Sequence, residues 1–425
     1  MNSITLKEGN EGKNQASYII FFFAVALYIN TCGNGYAVDD GAVLVHAKQG
    51  LAHLHSLLTN DLFSPVYGQP LDIGIRWRPF TLFISALEYT AFGDSPFIGH
   101  LINVILYGCI GLTLFSLLSA VFSKNILIAF VAAILFIAHP IHSEVVANIK
   151  SRDELFSLLF LLLSLLFLYR SVLRKNSMHQ LCTCLLFALA ILSKENGIAF
   201  IAVIPAFLFC FTAMSVKQSI RSALPYIGIT LLYLGLRSYV FNGFIIADVN
   251  QDILENQFYG LSFVQKLANV SAIFGKYIGL LLFPHPLSCD YSFNQIPLIN
   301  WADTKAILSA LVHLCLLAFA VKNLRKSEMG TAGPDVRSVL SFCILFYLIT
   351  MSMVSNLVFN IGTPLAERFL FMPSLGYCLA VAVLALRVLK IAKTDQLVFP
   401  SKLYIPFTFL LAAFSFKTVD RNKDW

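Results

Sequence analysis

The chain has 425 residues, 58% of them hydrophobic and only 12% charged, with a mean hydropathy of +0.75. A soluble domain carries about 25% charged residues, so this composition excludes an ordinary soluble enzyme and indicates an all-α integral membrane protein. The net charge of +7 is read as a topology signal rather than as affinity for nucleic acid, and the nine scattered cysteines suggest neither a disulfide framework nor a metal site.

In chain order, seventeen mostly polar residues precede an apolar run from Tyr18 to Ile29. No small-x-small cleavage site follows it, so it reads as a retained first span. Apolar runs predict spans near 18–33, 97–119, 126–139, 155–169, 180–192, 197–214, 222–241, 305–321, 338–355, 369–386 and 403–416, about eleven in all. With the N-terminus in the cytoplasm, the inner segments hold sixteen Lys and Arg in 77 positions, against twelve in 159 on the outer side. That orientation requires the apolar run 267–284 not to cross. Pro284-His-Pro286 breaks it, and it reads as a re-entrant or surface helix. Long outer loops cover 34–96 and 242–304, and Gly330–Pro334 reads as a flexible inner linker.

Ala138–Glu154 concentrates the ionisable groups. It packs His139, His142, Glu144, Arg152, Asp153 and Glu154 between two strongly apolar runs. Charge at membrane depth costs several kcal/mol unless it pairs or works. A helix cap accounts for Ser151 and Glu154 only. Asp39-Asp40 follow the first span on the same side. Adjacent carboxylates repel, which suits one of them to act as a general base. Arg78-Pro79 opens an apolar stretch to Phe92, and His100 is a minor candidate at the start of the second span. Ser193–Asn196 brings Lys194 and Glu195, Ala366–Phe369 brings Glu367 and Arg368, and Asp290 follows Pro286 on the outer loop. For each basic residue the plainer alternative is an ion pair with its neighbour: Arg152 with Asp153, Lys194 with Glu195, Arg368 with Glu367. The other alternative is that at least two of Arg152, Lys194 and Arg368 converge on one recess beside Asp39-Asp40 and Glu144.

Acids and cations crowded to one side of a bundle suit sugar transfer from a polyprenyl-phosphate donor. A carboxylate takes the acceptor's proton, the anomeric carbon passes through an oxocarbenium-like state, and fixed cations hold the departing phosphate. The alternative is a transporter or flippase for a lipid-linked sugar, although such proteins usually line a midplane path. A third reading is a scaffold.

Several segments carry a family resemblance: His139–Ala147 with Ser151–Leu155, Asp39-Asp40, Arg78-Pro79, Ser193–Gly197, Phe283–Ser288 with Asp290–Ser292, and Ile361–Phe369 with Pro373-Ser374. Together, in this order, they resemble the signature of the transmembrane and tetratricopeptide-repeat O-mannosyltransferases, a GT-C type family. The resemblance implies a GT-C-like bundle over 1–419 and a dolichyl- or polyprenyl-phosphate sugar as donor. It implies a protein or glycan acceptor; no cofactor is expected, and the sequence indicates no metal. The site would lie in the bacterial inner membrane or the endoplasmic reticulum membrane, on the periplasmic or lumenal face. Implied catalytic residues are Asp39, Asp40, Glu144 and Asp153. Donor-phosphate contacts are implied near Lys194 and Arg368; the charge pattern itself adds Arg78 and Arg152 as donor-phosphate contacts, with His139, His142, Glu154, Glu195, Asp290 and Glu367 lining the recess. Residues 420–425 resemble the family's lead-in to its repeat region. Arg152-Asp-Glu154 departs from the family's common Arg-Ala-Glu or Arg-Ala-Asp, which leaves open whether Asp153 or Glu154 is the functional acid.

Overall fold

A computed structural model describes residues 4–5, 10–62, 76–241, 257–291, 294–325, 334–357, 361, 363–391 and 397–425. Ser292, Lys326, Gly362 and most of the 330–334 linker lie outside the described residues. Apolar runs punctuated by Pro, Gly, Asn and Asp give, in order, α1 (Asn10–Tyr28), α2 (Asp40–Gln49), α3 (Leu54–Thr59), α4 (Pro79–Phe92), α5 (Pro96–Val121) and α6 (Ile126–Ala138). Then come α7 (Ser143–Val146), α8 (Arg152–Arg174), α9 (Ser177–Ser193), α10 (Phe200–Phe211), α11 (Val216–Arg221) and α12 (Leu224–Val240). The last five are α13 (Phe263–Leu282), α14 (Thr304–Asn323), α15 (Val336–Ser352), α16 (Pro373–Val388) and α17 (Ser401–Arg421). The only strands among the described residues pair Ile4–Thr5 antiparallel with Val398–Phe399, Ile4 opposite Phe399.

All thirteen residues of α6 are apolar and all are buried. A helix apolar on every face belongs at the centre, and α1, α5, α16 and α17 surround it. Within a bilayer, close packing rather than the hydrophobic effect holds such helices together. Small residues on α5 allow it: a Cβ on Gly108 would meet the Phe21 ring at 2.7 Å, and one on Gly111 would meet Ile20 at 2.8 Å. Pro140 ends α6 in a bend of 54°. Carbonyls near the break find side-chain partners. Tyr107 Oη donates to Phe136 and Ile137 at 3.1 Å each, and Thr418 Oγ1 donates to Ala138 at 3.1 Å.

Six helical stretches are long and apolar enough to cross a membrane: Glu11–Gly33, Pro96–Val121, Arg152–Arg174, Val216–Val240, Thr304–Asn323 and Ser401–Asp424. A seventh forms if the bent α6–α7 pair is one span. The expected eleven is reached only if four shorter apolar helices, Ser177–Ser193, Glu195–Phe211, Val336–Ser352 and Pro373–Val388, cross as well. The chain is thus an all-α integral membrane bundle. α13 is not among the six; it buries one face through Ala268, Ile273, Tyr277 and Leu280 and carries Lys276 at its surface over the Tyr291 ring, 4.7 Å away.

Candidate functional site

Helix ends from six parts of the chain meet at one end of the bundle. Asp39 is the residue before α2 and Asp40 its first residue; Arg78 precedes Pro79 at the start of α4. The turn from Ala147 to Ser151 carries Lys150 into α8, whose first turn is Arg152, Asp153 and Glu154. Lys194 precedes a 3-10 turn at Glu195–Ala199, Glu144 lies in α7, and Arg368 lies in a 3-10 turn at Glu367–Leu370. Acids at helix N-termini meet unpaired N–H groups and the positive end of the dipole, which is why the carboxylates gather there.

The two adjacent aspartates differ. Asp40 is 1% exposed and both its oxygens are taken: Oδ2 accepts from Ala37 N at 2.9 Å and Oδ1 from Lys150 N at 2.7 Å. Burial raises its pKa, against the pull of those two N–H groups. Asp40 therefore fixes the 147–151 turn onto α2. Asp39 keeps its carboxylate 36% exposed, with Lys150 Nζ 3.8 Å away.

The remaining charges form a chain of pairs. Arg78 binds Asp153 through one guanidinium nitrogen and Glu195 through the other two, at 3.0 and 3.3 Å. Burial opposes its charge, but Asp153 and Glu195 push its pKa above the ordinary arginine value. Lys194 lies 2.6 Å from Glu154 and 3.6 Å from Asp153. Arg368 pairs with Glu144 Oε1 through its side chain, and its backbone N–H donates to Oε2 at 2.7 Å. Burial lowers the Arg368 pKa, and Glu144 more than reverses this, with Asp39 and Glu154 adding to the rise. Glu144 and Asp153, expected as catalytic acids, are thus fully engaged in holding Arg368, Arg78 and Lys194.

Arg152 does not join this group. Its three guanidinium nitrogens go to Asn103 at 2.8 Å, to Gly99 O at 2.9 Å and to Glu88. It is 1% exposed, and the expected phosphate contact is corrected to a buried structural pair. The neighbour-pair alternative fails, since none of the three cations takes its predicted partner. His139 and His142 do not line a recess either. His139 uses Nε2 on Leu281 O at 3.0 Å and accepts from Ile141 N at Nδ1; His142 lies 2.7 Å from Tyr107 Oη and 2.8 Å from Ser374 Oγ. Both are fully buried and brace the α6 break. His100 bonds Gly35 O at 3.1 Å. Glu367 is 0% exposed and accepts from Ser288 N at 2.6 Å and Tyr291 Oη at 3.0 Å, with Arg421 3.7 Å away; burial pushes its pKa up to about 7. Asp290 is exposed on the loop after α13, its carbonyl accepting from Ser288 Oγ.

The sequence reading missed Lys150 and Glu88. Lys150 is 6% exposed beside Asp39, and burial drops its pKa to about 7 against the attraction of Asp153; Arg368, Arg78 and Lys194 lower it further. Asp39, Lys150, Lys194 and Arg368 thus share one electrostatic neighbourhood, with the Lys150 ammonium 3.8 Å from Asp39. Glu88 was visible as the one acid inside the apolar 79–92 run, a placement that asks for a partner. Among the described residues, no three His, Cys, Asp or Glu side chains are grouped as metal ligands.

Two family models match consecutive parts of the chain. Residues 77–239 match the dolichyl-phosphate-mannose-protein mannosyltransferase model, and residues 261–317 match protein O-mannosyl-transferase TMTC, DUF1736. Similarity to whole relatives runs through nearly all of the chain. Protein O-mannosyl-transferase TMTC3 of Homo sapiens is 26% identical over 96% of this chain and 46% of its own length. The corresponding values are 27%, 96% and 55% for protein O-mannosyl-transferase F38B6.6 of Caenorhabditis elegans, and 25%, 94% and 56% for tmtc2 of Xenopus laevis. The chain belongs to the transmembrane and tetratricopeptide-repeat O-mannosyltransferase family. It spans about half the length of the curated relatives it matches. The first family model takes in Arg78, Glu144, Lys150, Asp153 and Lys194, whereas Asp39 and Arg368 reach the cluster from outside both matched segments.

Proposed function

We propose that the chain transfers a monosaccharide, mannose by its family, from a polyprenyl- or dolichyl-phosphate donor to a hydroxyl of a protein acceptor on the outer or lumenal side of the membrane. The observation that carries this reading is the part-exposed Asp39 carboxylate beside the buried Lys150 ammonium, with Arg368 and Lys194 around it. Asp39 takes the acceptor hydroxyl's proton. The acceptor oxygen attacks the anomeric carbon from the face opposite the phosphate, through an oxocarbenium-like state. The bond from that carbon to the phosphate oxygen breaks, the configuration inverts, and polyprenyl phosphate leaves. Lys150 and Arg368 stabilise the charge that grows on the departing phosphate more than they stabilise the donor itself. Glu144 and Asp153 act as positioning residues, holding Arg368, Arg78 and Lys194 against desolvation. Asp40 holds the turn that presents Lys150.

The reading is tested with the purified chain in lipid discs, a radiolabelled polyprenyl-phosphate mannose and a serine- or threonine-bearing peptide. Transfer with an anomeric configuration opposite to the donor's is expected. Donor binding without transfer to any hydroxyl acceptor, or transfer with retention, would overturn it.

A further inference from the structure

The opposite end of the bundle holds a cavity of about 980 Å³. The proposed sugar transfer does not use it. The 23 residues of α8 separate its floor from the Asp153 cluster, roughly 35 Å at about 1.5 Å per residue. The cavity opens where α5, α8 and α16 end. Lys124, Lys175, Arg387 and Lys390 are in its lining, and no acidic side chain is among the described residues that line it. The wall between them is apolar, with Phe122 and Tyr169 buried.

Two features go beyond a basic rim. Asn125, 8% exposed, lines the cavity, and its carboxamide oxygen has no hydrogen-bond partner among the described residues. Lys175 and Lys390 both hold left-handed backbone, φ +51°, at the ends of α8 and α16, a position where glycine is the residue of least strain. A lysine at a helix C-terminus also meets the negative end of the dipole, which accounts for one cation per helix. It does not account for four basic side chains lining one partly apolar cavity with no acid among the described residues of its lining.

We propose that this cavity binds an anionic phospholipid, its phosphate among Lys124, Lys175, Arg387 and Lys390, a headgroup hydroxyl on Asn125, and an acyl chain against the apolar wall. Basic pockets between membrane helices recognise such headgroups, each cation contributing about a fivefold gain in affinity. A bound lipid stabilises the folded chain by mass action.

The test uses the purified full chain in neutral detergent, titrated with phosphatidylglycerol, with phosphatidylcholine and with inorganic phosphate, read by native mass spectrometry and by the melting temperature. Phosphatidylglycerol should be retained and raise the melting temperature, and phosphatidylcholine should do neither. Combining Lys175→Gln, Arg387→Gln and Lys390→Gln should weaken phosphatidylglycerol roughly 100-fold, whereas Lys175→Arg with Lys390→Arg should keep it. Equal retention of the two lipids, or unchanged affinity in the triple variant, would overturn the site. Inorganic phosphate matching phosphatidylglycerol would overturn the lipid in favour of a free anion. If the triple variant does not fold, a photoactivatable phosphatidylglycerol on the unaltered chain decides: labels within 121–125, 169–175 and 386–391 support the site, and labels spread evenly over lipid-facing helices overturn it.

Discussion

At the scale of single residues, Lys150 makes the sharpest claim. Burial holds its pKa near 7, so near neutral pH it is only partly charged until a phosphate arrives. Binding an anion favours the charged form, so donor binding takes up a proton above about pH 7. Donor affinity should fall as pH rises through that value, by up to about tenfold per unit. Lys150→Arg should remove the dependence, and a titration of donor affinity between pH 6 and 9 checks it. Glu367 gives a stability prediction. Its carboxyl stays protonated in the folded chain up to about pH 7, whereas the unfolded chain releases that proton near 4.5. The folded state binds more protons between those values, so stability falls as pH rises across them. Glu367→Gln should flatten the melting-temperature profile in that window. Arg152 is a third case. Removing one partner of its buried pair with Glu88 should cost about 3–5 kcal/mol of stability, while the donor affinity of folded Arg152→Ala protein stays unchanged. Residue types were legible in the sequence here, and partners were not. An acid or a cation at membrane depth announces that it is paired; which residue it meets depends on how distant helices approach. So Arg152 met Glu88 rather than Asp153, and Arg368 met Glu144 across 224 positions.

At the scale of elements, close helix approach is set by a few small residues. A Cβ on Gly376 would lie 2.6 Å from the backbone carbonyl of Cys343, and backbone cannot swing away. A Cβ on Gly228, in α12, would meet nothing within 4 Å. Gly376→Ala should therefore lower the melting temperature by forcing α15 and α16 apart, whereas Gly228→Ala should leave it unchanged or raise it, since Gly in a helix is worse than Ala by roughly 0.5–1 kcal/mol. The end of α6 was legible from Pro140. The partners of the carbonyls beside it, Tyr107 and Thr418, were not, because they come from α5 and α17, far along the chain. The same limit applies to His139 and His142. Two histidines beside a proline at membrane depth read as site residues from sequence, and the structure uses them to satisfy the break.

At the scale of the whole molecule, charge is sorted to the two ends of an apolar bundle. One end gathers Asp39, Lys150, Lys194 and Arg368; the other gathers Lys124, Lys175, Arg387 and Lys390. Asymmetry in charge along the chain was legible, and so was the odd status of α13, which the composition keeps out of the long spans. The number of spans was less so, because helices of 12 to 17 residues such as α9, α10, α15 and α16 are apolar but short, and length alone does not place them. Reporters fused near Asn294 and after Asn323 should report opposite sides of the membrane, the first on the side of the Asp39 cluster; the same side for both would remove α14 from the spans. The central claim is that Asp39, and not its neighbour, takes the acceptor's proton. The most direct measurement compares sugar transfer and donor binding in Asp39→Asn and Asp40→Asn. For Asp39→Asn, turnover should drop about 10²–10⁴-fold with the melting temperature and donor affinity retained. For Asp40→Asn, the melting temperature should fall, and the folded fraction should keep substantial turnover. Wild-type turnover in folded Asp39→Asn protein would contradict the account.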